Sequence, residues 1–104
     1  GQSFVKRNPM KISDFQDQIR TTYFDRDNRR GVEKNFLWFT EEVGELAESI
    51  RKRDREGMEE EMADVLAWLA TLANLLDIDL DAAAEKKYGS GCSRCQNSPC
   101  KCPE

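Results

Sequence analysis

The chain is predicted to be all-α: four helices with an antiparallel central hairpin, followed by a short Cys-rich C-terminal tail. Three observations predict this. Apolar residues recur at helical spacing along two long stretches, 33–52 and 58–76. The corner joining them, RKRDREG, is short enough to imply an antiparallel hairpin. No run alternates apolar with polar residues, and neither an Asn-Gly hairpin pair nor an internal repeat occurs.

The first helix is expected over about residues 14–25. Ser13-Asp14-Phe15-Gln16 has the form of a capping box with Ser13 as N-cap, and Phe15, Ile19 and Tyr23 follow at spacing four. RDNRRG (26–31) should break it, leaving Arg26, Arg29 and Arg30 in a solvated loop, with phosphate contact as the competing role. The second helix, about Glu33 to Lys52, carries the stripe Phe36, Phe39, Val43, Leu46, Ala47 and Ile50. Arg51, Lys52 and Arg53 at its end suit the helix dipole. The third, about Met58 to Leu76, turns Met62, Val65, Leu66, Leu69, Leu72, Ala73 and Leu76 inward. Asp79 is the expected N-cap of a short fourth helix over LDAAAEKKY, and Gly89 is placed to stop it at C′. Residues 10–89 thus read as one domain and 90–104 as the tail. Residues 1–9, GQSFVKRNP, lack periodicity and are expected to be an expression remnant or a disordered extension.

With 104 residues, 38% of them hydrophobic, a monomer would bury only a modest core, so a homodimer or homotetramer is expected to complete the bundle. Charged residues make up 35% of the chain, yet the net charge is only −4. Such a balance supplies no basic field to gather nucleic acid. No apolar run approaches the roughly 20 residues of a membrane span, and the start shows no apolar leader. A cytoplasmic protein without a membrane partner is the expectation.

Two acidic groups stand out, EEVGEL at 41–46 and EEEMAD at 59–64. At about 100° per residue, Glu42 and Glu45 fall roughly 80° and 140° from the centre of the second helix's stripe, while Glu61 and Asp64 fall roughly 70° and 130° from that of the third, on the same rotational side. Two antiparallel helices sharing a core would turn such flanks both toward each other or both away. In the facing arrangement four carboxylates converge, and like charges that close raise one another's pKa unless a cation intervenes. Oxygen-only ligands favour a hard ion such as Mg²⁺, and the absence of histidine excludes a His-based site. Against this, 20 of 104 residues are acidic, and Glu at i and i+3 is common on a solvated helix face. Two pairs in matching phase on consecutive helices favour the metal.

EEVGEL followed by EMADVLAWL resembles the paired E-E-x-x-E and E-x-x-D motifs of MazG-like nucleoside triphosphate pyrophosphohydrolases, of the all-α NTP pyrophosphatase superfamily. The likeness covers about residues 12–89. It implies metal-binding roles for Glu42, Glu45, Glu61 and Asp64, with Glu41 a further ligand or the group that orients water; Glu41 and Glu45 are the catalytic candidates. It implies Mg²⁺ as cofactor with Mn²⁺ as substitute, a nucleoside triphosphate substrate, and attack at the α-phosphorus to give nucleoside monophosphate and pyrophosphate in cleansing the nucleotide pool. Asn74, Lys87 and Tyr88 lie where such proteins often contact phosphate or sugar. Trp38 stands where many relatives have lysine, so a phosphate contact is lost there or supplied elsewhere. Trp38 and Trp68 lie on the carboxylate flanks, where indoles would stack on a base or fill a subunit interface. The competing class is a non-catalytic helical dimerisation or interaction module with a zinc-binding tail.

All four cysteines lie in the tail, as Cys92-x₂-Cys95-x₄-Cys100-x-Cys102. Their number and proximity suit a tetrahedral Zn²⁺, and the C-x-x-C half matches common zinc knuckles, whereas C-x-C is tighter. A disordered reduced tail and disulfides are the alternatives, the latter disfavoured in a cytosolic setting.

Overall fold

The computed structural model describes residues 10–104, so the reading of residues 1–9 lies outside the described residues. It is all-helical: α1 (Ile12–Arg30), α2 (Val32–Lys52), α3 (Arg55–Leu75) and α4 (Leu80–Tyr88), with no strand among the described residues.

The first helix is longer than the expected 14–25 at both ends. Lys11, not Ser13, is the N-cap, and its backbone N–H donates to Asp14 Oδ2 at 3.1 Å. Gln16 does not close a capping box with Ser13. Its side-chain amide instead donates to Asn74 Oδ1 (3.0 Å) and the Ile78 carbonyl (2.7 Å), while its Oε1 accepts from Leu80 N–H (2.9 Å). RDNRR is not a loop but the last turns of α1, since arginine is a good helix former and nothing before Gly31 breaks the ladder. Gly31 breaks it with φ +90°, a conformation only glycine adopts freely. Fully buried Asn35 staples the break, donating to the carbonyls of Asp27 (3.0 Å) and Gly31 (2.8 Å).

The hairpin corner is tighter than RKRDREG suggested. Arg53 takes a left-handed conformation (φ 56°), its N–H bonding the Ile50 carbonyl, and Asp54 caps α3 by accepting from Gly57 N–H at 3.2 Å. Helix three therefore starts three residues before Met58 and ends at Leu75. A Cβ on Gly57 would lie 2.5 Å from the Asp54 carboxylate and 3.0 Å from Ser49 Oγ, so a larger residue there would push the Asp54 cap aside. Asp79 caps α4 as expected, accepting from Ala82 N–H at 3.1 Å. Gly89 ends that helix in a right-handed conformation, and the chain reverses only at Gly91 (φ 112°).

The N-terminal half of α3 lies along α2 and its C-terminal half along α1. Contacts fix the first register: Trp38 packs on Trp68, Glu45 meets Glu61, and Ser49 faces Gly57. The residue numbers of each pair add to the same total, so Glu42 stands opposite Asp64. On both helices the seam steps by four, three and four, the spacing of an a/d coiled-coil seam. The acidic edges are the seam itself.

Packing on α1 buries Ala70, Thr71, Leu72, Ala73 and Asn74, and against them Gln16, Ile19 and Asp27. Polar groups hold both ends of this contact: Gln16 with Asn74 at one, Thr71 Oγ1 donating to Asp27 Oδ2 at 3.0 Å at the other. Of the stripe expected inward on α3 only Leu72 and Ala73 are buried; Met62, Leu66, Leu69 and Leu76 are exposed, as are Phe36, Val43, Ala47 and Ile50 on α2. Of α1's expected apolar line, Phe15 is half-buried and Tyr23 is 42% exposed. The radius of gyration, 16.5 Å, exceeds the about 13 Å of a compact domain this size. No helix of the described residues is long and apolar enough to cross a membrane.

Candidate metal and nucleotide site

Seam positions of a helix pair normally hold apolar side chains, because each is walled by four residues of its neighbour. Here the middle of the seam is acidic. Carboxylate oxygens of Glu42, Glu45 and Glu61 all lie within 4.8 Å of one another. Burial and the nearby charges of Glu45, Glu61 and Asp64 push Glu42 up to about 7. Glu61 is raised in the same direction by burial and by Glu45, Asp64 and Glu60.

Glu61 Oε2 is sealed from solvent without any hydrogen-bond partner. A buried acceptor left unpaired is unfavourable, more so if charged, so such atoms mark a missing partner. The donor set is oxygen-only and acidic, and the chain has no histidine. Its chemistry fits a hard divalent cation.

Asp64 and Glu41 are placed differently. The structure brings together three of the four expected ligands. Asp64, one turn from Glu61, turns into the neighbouring cleft between α1 and α3, a space of about 140 Å³ lined also by Tyr23, Asp27, Ala67, Trp68 and Thr71. Its charge still reaches Glu42 and Glu61. Glu41, exposed, lines a second cleft of about 310 Å³ with Arg30, Trp38, Glu42 and Trp68. Trp68 is the wall between the two clefts. The indoles of Trp38 and Trp68 pack at 5.6 Å between centroids with planes 58° apart, and the Arg30 guanidinium lies 4.8 Å over the Trp38 ring.

Arg30 is the cation that the sequence placed in a solvated loop. Its signal was present, three arginines just before the Phe-rich helix, but only the extension of α1 to Gly31 sets it at the cleft. Asp27 went unnoticed, since nothing in RDNRRG distinguishes a buried carboxylate from a solvated one.

The expected substrate contacts on later residues are not gathered here. Asn74 is 5% exposed, and its side-chain amide is engaged with Gln16 in both directions, donating to its carbonyl at 3.2 Å. That is a structural position. Lys87 and Tyr88 lie on α4, the Lys87 ammonium 5.5 Å over the Tyr88 ring, and neither lines the cleft of Arg30 and the indoles. The four cysteines converge in the tail beyond α4.

A model of the MazG nucleotide pyrophosphohydrolase domain matches residues 30–92, from Arg30 through the seam to the first cysteine. A curated relative, "Uncharacterized protein YpjD" of Bacillus subtilis (strain 168), is 44% identical over 57 residues, covering 45% of this chain and 51% of the relative. The chain thus spans about half the length of the curated relative it matches.

Proposed function

Because the chain belongs to the MazG nucleotide pyrophosphohydrolase family, we propose that it is a divalent-metal-dependent hydrolase converting nucleoside or deoxynucleoside triphosphates to the monophosphate and pyrophosphate. Clearing non-standard nucleotides from the pool is the purpose this activity would serve. The observation that carries the reading is the acidic seam, where three carboxylates crowd within 4.8 Å around a sealed, unpartnered Glu61 Oε2. Stability alone would not place charge there.

Glu42, Glu45 and Glu61 would hold the ion, with Asp64 beside them. Mg²⁺, with Mn²⁺ as substitute, would supply neutralisation of the seam and Lewis acidity toward phosphoryl oxygens. The chain's own residues do the rest. Glu41, exposed on the cleft wall, is free to accept a proton from the attacking water, with Glu45 holding its neighbours in place across the seam. Arg30 offers a planar, bidentate donor to phosphate and so replaces the lysine that Trp38 displaces. The indoles of Trp38 and Trp68 give a base an apolar wall, and the α1–α2 break positions Arg30 against them.

A second copy of the chain is the proposed cover for the exposed stripe of Phe36, Val43, Ile50, Met62, Leu66 and Leu69. These positions keep helical spacing on two adjacent helices, and burying them would give the thin core the apolar area it lacks. A homodimer or homotetramer therefore belongs to this reading. The competing view, a non-catalytic interaction module, explains the apolar stripe but not the acidic seam.

Incubation with Mg²⁺ and each NTP and dNTP, with products separated chromatographically, tests the activity. Monophosphate and pyrophosphate in equal amounts are expected. Orthophosphate alone, or no turnover of any nucleotide, would overturn the proposal.

A further inference from the structure

Residues 90–104 contain no helix and not one buried residue, so no apolar core can organise them. They are nevertheless folded around their thiols. Cys92 N–H bonds the Asn97 carbonyl (3.0 Å) and Gln96 N–H the Cys92 carbonyl (2.8 Å), closing a turn whose reversals fall at Gly91 and at Gln96 (φ 61°). This turn points all four sulfurs to one centre, within 4.8 Å of one another.

We propose that Cys92, Cys95, Cys100 and Cys102 form a structural tetrathiolate Zn²⁺ knuckle, a metal site separate from the carboxylate seam. The distances set the ligand. Four sulfurs at about 2.3 Å from a central zinc lie about 3.8 Å apart along the tetrahedral edges. Cys92 Sγ is 3.7 Å from Cys102 Sγ and 3.5 Å from Cys100 Sγ, whereas a disulfide needs about 2.05 Å. Soft thiolates select zinc over the hard ion suited to the seam.

Backbone amides supply the supporting shell. Arg94 N–H points to Cys92 Sγ (3.4 Å), Lys101 N–H to Cys95 Sγ (3.3 Å) and Cys102 N–H to Cys100 Sγ (3.3 Å). Donors aimed at sulfur stabilise thiolate, which is the liganding form, and orient it. Zinc binding would then be the folding energy of a segment that has no other source of it.

The test uses the whole chain, reduced anaerobically and dialysed with Zn²⁺, with metal content measured by mass spectrometry alongside the Cys95→Ser and Cys100→Ser variants. One zinc per chain is expected, lost in both variants while the far-ultraviolet helical signal persists. Co²⁺ in place of Zn²⁺ should give the thiolate-to-cobalt charge-transfer band and strong tetrahedral d–d bands. Absence of zinc from reduced protein, retention of zinc by both variants, or a protein that keeps disulfides under reductant would each overturn the knuckle. None of these outcomes depends on nucleotide hydrolysis, because the readouts are metal and spectrum.

Discussion

Trp38 and Trp68 touch across the α2–α3 hairpin at 5.6 Å, one helical turn from Glu42 on one side and from Asp64 on the other. That single contact sets the register of the whole seam. Antiparallel helices locked there bring Glu45 to Glu61 next and Ser49 to Gly57 after it. Aromatic contact and acidic cluster are successive rungs of one ladder.

The rung proposed to hold the ion should be the least tolerant. Glu61→Gln or Glu45→Gln keeps shape and removes a ligand charge, so kcat/KM for the best nucleotide should fall about 10²–10³-fold, the range for losing one electrostatic stabiliser. Isothermal titration with Mg²⁺ should show the same variants losing metal affinity. Full activity in both would sink the assignment.

Metal-free stability should fall as pH rises. Glu42 has a folded-state pKa of about 7 against an ordinary value of 4.5, and Glu61 is shifted the same way. Groups so raised favour the folded state while protonated, fully below about 4.5, and that contribution is lost as pH climbs through 7. After allowance for solvent screening Glu42 contributes on the order of 1 kcal/mol, or about 4–8 °C in Tm. Thermal melts from pH 5 to 8 in chelator should show the decline, and Mg²⁺ should abolish it. Glu42→Gln should stabilise the metal-free protein at pH 8.

Arg30 should govern substrate affinity more than turnover chemistry. Arg30→Ala is expected to raise KM for the triphosphate about tenfold, about 1.4 kcal/mol, with kcat much less affected. Arg30→Lys should recover only part, since a point charge lacks the planar fork. Steady-state kinetics on purified variants measure both.

Two positions outside the three-glutamate cluster should affect folding. Gly57→Ala brings a Cβ to within 2.5 Å of the Asp54 carboxylate and should cost at most about 1 kcal/mol, because displacing that cap (about 0.5–2 kcal/mol) is offset by alanine's roughly 1 kcal/mol helix preference over glycine. Gln16→Leu strands Asn74 Oδ1, the Ile78 carbonyl and the Leu80 N–H and should cost about 1–3 kcal/mol. Urea denaturation reads both.

Leu66→Glu, on the exposed apolar stripe, should convert the proposed homodimer or homotetramer to monomer in analytical ultracentrifugation. An unchanged sedimentation coefficient would remove the second copy from its proposed place.

Much of this was legible in the chain itself. Local rules specified four helices, the Asp79 cap and the hairpin, because capping and apolar period act over a few residues. The phase of Glu42, Glu45, Glu61 and Asp64 relative to the apolar stripes is likewise set by rotation along a helix. Burial was not, since it depends on what arrives from elsewhere in the chain. Tertiary packing decided that Gln16 leaves its own helix start to clamp Asn74 and Leu80. It buried Asp27 against Thr71, carried α1 on to Gly31 so that Arg30 reaches Trp38, and turned Asp64 into the neighbouring cleft. Sequence alone supplied the carboxylates and their spacing. Only the contact of α3 with two helices at once decided which three of them cluster and which one turns away.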